Sequence, residues 1–183
     1  EMAGKEAIVM ILDTSPTMAQ LVPSFNKSRL ELGKEIIIER IEEEIFFYLK
    51  RDWIGLMAIG NQPDLDETST QNVSTVYDIS PPSEEAIKSI KDVNVSDQGG
   101  NFFDALEEAI DTLEKKIGKK KYAKKLYLIT DGESKTDGDE NSKKLISSLI
   151  RSNAVLNIIC TGFFNDGDQA SAETPNQKST REI

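Results

Sequence analysis

The sequence predicts an α/β fold of Rossmann-like type: a mostly parallel central sheet, one antiparallel edge strand, and helices on both faces. Three observations predict it. Short apolar runs of strand length alternate with longer stretches whose apolar residues recur at helical spacing. Two of the runs, residues 7–12 and 126–130, are nearly all apolar, as strands covered on both faces are. A third run, residues 73–79, instead alternates and is rich in β-branched residues, which suits an edge.

The elements follow in order. Residues 6–12 read as the first strand. A helix is expected between Pro23 and Lys50, where Leu30, Ile37, Ile38, Ile41, Ile45 and Leu49 form a stripe between Glu and Lys. Residues 53–60 are a second apolar strand, followed by a polar loop over 61–71 and the edge strand. Ser83 is placed to cap a short helix carrying Ile87 and Ile90. Gly99 and Gly100 break the chain. Phe103, Leu106, Ile110, Leu113 and Ile117 then mark a further helix that Gly118 ends. After the strand at 125–130 and a polar loop at 132–139 comes a helix with Leu145, Ile146, Leu149 and Ile150. The last strand spans 154–161. This gives one domain over residues 1–165 and a polar tail, or the start of an insertion, over 166–183.

Composition narrows the function classes. The chain has 183 residues, enough for a sizeable core without disulfides. Its single cysteine, Cys160, lies in an apolar run and reads as a buried, inert thiol. There is no histidine, which removes the usual general base and every histidine-based triad. The net charge of −10 argues against this chain being the main holder of a phosphate backbone. No stretch is long and apolar enough to span a membrane, and none reads as a signal peptide.

Chemistry concentrates where two apolar strands end. Adjacent parallel strands would bring Asp13 and Asp131 together at their carboxyl ends, where open α/β sheets bind ligands. The hydroxyls of Ser15 and Thr17 follow at alternate positions. Such hard oxygen ligands suit Mg2+. The functional reading is a Mg2+ site that captures a partner's carboxylate. The structural reading is a set of polar residues that cap loops and helix ends. Phe102 lies off the helix stripe and, with Tyr77 and Ile79 on the edge strand, could border a partner-binding groove; packing explains the three as well. Lys119, Lys120 and Lys121, in a longer lysine run, are either DNA-proximal contacts or a solvated turn that suits a helix C-terminus. Asp104 and Asp111 read as a helix N-terminal charge and a solvated face.

The order of elements resembles a von Willebrand factor A domain. That family opens with D-x-S-x-S after its first strand, here Asp13-Thr14-Ser15-Pro16-Thr17, and carries a later T-D-G, here Thr130-Asp131-Gly132. In the family these residues form a metal-ion-dependent adhesion site, completed by a threonine in a Gly-rich loop. Gly100 stands at that threonine's place, so the implied Mg2+ site is incomplete and no cofactor is required. A narrower resemblance is to the amino-terminal domain of the larger subunits of Ku heterodimers. It rests on the 101–106 segment Asn-Phe-Phe-Asp-Ala-Leu, Ile110-Asp111, the Ile117-Gly118-Lys119-Lys120 turn before Thr130-Asp131, and Gln71-Asn72-Val73. It covers roughly residues 5–165.

That resemblance implies a non-catalytic recruiting and scaffolding domain in a nuclear DNA end-binding heterodimer. The implied work is double-strand break repair by non-homologous end joining, and telomere maintenance. The implied partners are a smaller Ku subunit, end-joining or telomeric factors bound through peptide motifs, and duplex DNA ends held by the whole heterodimer rather than this domain. Two alternatives stand beside it. One is another intracellular von Willebrand-type module, in a proteasome or a transcription-repair complex. The other is a Mg2+-dependent phosphatase of the haloacid dehalogenase type, whose motif D-x-D-x-[TV] departs here because Ser15 replaces the second aspartate. No G-x-x-x-x-G-K-[ST] phosphate loop occurs in the chain.

Overall fold

The computed structural model describes residues 5–47, 52–60, 62, 73–118, 120–133 and 139–162. The segment 166–183, read from sequence as a tail, and Lys119 lie outside the described residues.

Five strands build the sheet in the order β5-β4-β1-β6-β7. They are β1 (Glu6–Asp13), β4 (Trp53–Ile59), β5 (Val73–Ser80), β6 (Ala123–Thr130) and β7 (Ala154–Cys160). β1 pairs in parallel with β4 on one side and β6 on the other; β6 pairs in parallel with β7; β5 runs antiparallel to β4. The expected antiparallel edge strand is therefore β5. β1, at the centre, is buried from Ala7 to Asp13 because both of its faces are covered.

The side-chain period of two sorts β1 between two cores. Ala7, Val9 and Ile11 face a layer made by α3 (Phe102–Ile117) and α4 (Asp139–Ser152). Ile8, Met10 and Leu12 face a layer made by α1 (Arg29–Phe46) and α2 (Glu84–Asp92). α1 comes close to the sheet at Gly33, where a Cβ would stand 2.6 Å from Leu12 Cδ1 and 3.1 Å from Ile129 Cγ2. Ser83 caps α2 by accepting from the Ala86 amide, as its position predicts. Gly118 closes α3 at φ 56°.

Four expectations are corrected. The helix expected from Pro23 starts only at Arg29. A 3-10 turn (Pro16–Ala19) and a two-residue hairpin, β2 (Leu21–Val22) with β3 (Lys27–Ser28), fill the interval. Asn26 takes a left-handed φ of 51° in that hairpin, and Ser28 with Glu31 forms a reciprocal capping box that fixes the helix start. Phe102 is not off the core: it is 2% exposed, because α3 crosses four strands and also packs against α4, so its buried face is wide. Ile79 is likewise buried under the same cluster. Cys160 is half-exposed rather than buried, because β7 is the sheet's other edge.

Candidate functional site at the carboxyl end of the sheet

The strand order reverses direction at β1: the chain moves from β1 to β4 on one side and later returns to β6 on the other. The crevice at such a switch point is where α/β sheets place ligands. Register sets Leu12 opposite Ile129, which brings Asp13 beside Thr130 and leaves Asp131 one residue beyond β6. The Thr130 hydroxyl donates to Asp13 Oδ2 at 2.6 Å. The Ser15 amide donates to Asp13 Oδ1 at 2.9 Å. Ser15 Oγ and Thr17 Oγ1 share a hydrogen bond of 3.1 Å, with Ser15 buried and Thr17 half-buried. The sequence-predicted residues are thus in one place.

The structure adds a residue that the sequence reading omits. Arg29 Nη1 donates to Asp131 Oδ2 at 2.8 Å, and the two form an ion pair whose carboxylate is fully buried. The other carboxylate oxygen, Asp131 Oδ1, accepts from the Glu133 amide at 2.9 Å. Burial pushes the Asp13 carboxyl above the usual carboxylate range. Hydrogen bonds from Thr130 and Ser15 oppose that rise, and the charge of Asp131 adds to it. Arg29 is the first helical residue after the capping Ser28, where the helix dipole disfavours a cation, a position that only the observed start of α1 reveals.

The donor set does not suit a divalent cation as arranged. All four carboxylate oxygens of Asp13 and Asp131 already accept from protein donors, one of them a guanidinium. The Gly-rich loop does reach the expected place: a Cβ on Gly99 would lie 3.5 Å from Ser15 Cβ. Gly100 follows it without a hydroxyl to offer. Mg2+ demands near-ideal octahedral oxygen geometry, and an adjacent guanidinium opposes a second cation.

A second polar group braces the loops beside the site. Thr14 Oγ1 donates to the Ile59 carbonyl at 2.7 Å and accepts from Gln62 Nε2 at 3.3 Å. Gln62 also spans to Asn94, donating to its carbonyl and accepting from its amide. The Ser96 amide donates to the Thr14 carbonyl at 2.7 Å. Gly60, at φ 123°, leaves this room: a Cβ there would stand 2.5 Å from Thr14 Oγ1.

The other predicted residues are placed elsewhere. Tyr77 is half-buried, with its hydroxyl bonded to Ser83 Oγ at 3.0 Å and to the Pro81 carbonyl at 3.1 Å. With Phe102 and Ile79 in the core, Tyr77 is the one of the three that keeps exposed surface. Lys120 sits over the Trp53 ring at 4.3 Å, and Lys121 is exposed. Both precede β6, at the opposite end of the sheet from Asp13. Asp104 and Asp111 are exposed on α3.

Comparison with known proteins agrees with this architecture. The von Willebrand factor type A domain family matches residues 8–133. The chain is 24% identical over 184 residues to X-ray repair cross-complementing protein 5 of Dictyostelium discoideum, covering 98% of this chain and 23% of that protein. It is 24% identical over 196 residues to ATP-dependent DNA helicase II subunit 2 of Chaetomium globosum, covering 100% and 26%. It is 27% identical over 140 residues to ATP-dependent DNA helicase 2 subunit KU80 of Arabidopsis thaliana, covering 73% and 19%. The chain thus spans about a quarter or less of the length of these relatives. Among solved structures, the SpRpn10 VWA domain matches with a TM-score of 0.63 at 16% identity, over 98% of this chain and 95% of that one. BatB from Bacteroides thetaiotaomicron matches at 0.64 and 18%, over 85% and 66%.

Proposed function

Because this chain belongs to the von Willebrand factor type A domain family, we propose that it is the recruiting and scaffolding domain of a Ku-type DNA-repair protein. The observation that carries this reading is the span of the similarity: relatives named for X-ray repair and for KU80 align with 71–98% of the chain. The parent protein would pair with a smaller Ku subunit, hold duplex DNA ends as a heterodimer, and act in the nucleus in non-homologous end joining and at telomeres. The domain itself would dock peptide segments of repair factors and perform no chemistry. The chain's lack of histidine and of a phosphate loop supports a non-catalytic role, although some relatives carry a helicase name. The carboxyl end of the sheet is the docking end in this reading, since Thr17 belongs to the polar cluster there and Leu21, paired with Ser28 next to Arg29, is exposed.

The test uses the tagged full-length protein purified from its own cells. A smaller Ku-like subunit should co-purify, and the complex should retain linear duplex DNA but not closed circles. A proteasome or transcription assembly, or binding without end preference, would overturn the reading.

A further inference from the structure

Two buried carboxyl groups share the carboxyl end of the sheet, and a buried carboxylate is costly unless it is paired. The chain supplies one. The Arg29 guanidinium stands 2.8 Å from Asp131 Oδ2 with its side chain only 13% exposed. Three elements fix it there. Its amide donates to the Gln20 carbonyl at 3.0 Å, which ties the helix start to the hairpin. The Ser28–Glu31 capping box sets the first turn of α1. Gly162, just beyond β7, leaves space for the guanidinium: a Cβ there would stand 3.0 Å from Nε and 3.1 Å from Cζ. A cation at a helix N-terminus is disfavoured by the helix dipole, so the ion pair offsets a local penalty.

We infer that Arg29 is the resident cation of this site, so that Asp13, Ser15, Thr17 and Asp131 keep their geometry without Mg2+ and do not take up a divalent ion. Arg29 is then a positioning residue for the loops at the carboxyl end of the sheet. This inference does not depend on the DNA-repair reading, because it concerns only how the site is neutralised.

The experiment combines Mn2+ binding, read by electron paramagnetic resonance, with thermal unfolding in Mg2+ or in EDTA at equal ionic strength. The wild-type protein should bind no Mn2+ that Mg2+ displaces, and its Tm should be the same in both buffers. Arg29→Gln should lower Tm by roughly 5–15 °C, because it removes the guanidinium from a buried carboxylate. Adding Asp131→Asn should recover part of that loss, which a purely packing role for Arg29 would not produce. One Mg2+-displaceable Mn2+ per wild-type chain, lost in Asp131→Asn, would overturn the inference. So would an Arg29→Gln Tm equal to that of the wild type. If Arg29→Gln does not fold, the wild-type metal titration decides alone.

Discussion

Glu44 illustrates how one residue carries a global property. It is fully buried near the end of α1, in ion-pair contact with Arg40 but without a well-aligned hydrogen bond from it. Burial raises its carboxyl to about 7, from an ordinary 4.5. Arg40 opposes the rise, and Asp52 and Glu6 add to it. The folded state therefore holds a proton that the unfolded chain releases between pH 4.5 and about 7, so stability falls as pH rises through that window. Glu44→Gln mimics the protonated form. It should stabilise the protein by on the order of 2 kcal/mol at pH 8 and by nothing measurable at pH 4. Urea unfolding at the two pH values checks this, and an equal effect at both would remove Glu44 as the titrating group. At the site, by contrast, Asp13, Ser15, Thr17 and Asp131 were legible from spacing alone. Arg29 was not, because its partner is 102 positions away.

At the scale of elements, the helices were legible from their stripes and their caps. The apolar stripe read from Phe103 to Ile117 lies within α3, and Ser83 and Gly118 act at the ends where their residue types put them. The start of α1 was not legible, since Pro23, read as opening the helix, lies in the turn of a hairpin in which Asn26 takes a left-handed φ. Packing of α1 on the sheet rests on Gly33. Gly33→Val would press two methyl groups into Leu12 and Ile129, and should cost on the order of 2 kcal/mol despite a gain in helix propensity. Chemical denaturation reads the loss; an unchanged midpoint would mean that α1 can shift off the sheet freely.

The whole molecule sets a limit on DNA contact. Its net charge is −10, and its lysines near the start of β6 are partly engaged: Lys120 over Trp53, Lys125 with Glu6 at 2.6 Å, and Lys124 with the Ser152 carbonyl at 3.0 Å. This chain alone should therefore bind a short duplex no more tightly than the weak end of non-specific binding, about 10⁻⁴ M at physiological salt. Fluorescence anisotropy with a labelled duplex checks it. Tight binding with a steep salt dependence would move the DNA contact onto this domain, against the proposed division of labour.

The sequence by itself determined the α/β class, the central pair of buried strands and the convergence of two aspartates at their carboxyl ends. These follow from local hydrophobic period and from the chirality and burial rules of parallel sheets, which act on short segments. Tertiary structure alone decided three matters: that Arg29 reaches Asp131, that Phe102 and Ile79 face the core, and that Cys160, on an edge strand of the described sheet, is partly exposed. Each depends on which segments far apart in the chain become neighbours. Spacing along one strand or helix carries no record of that.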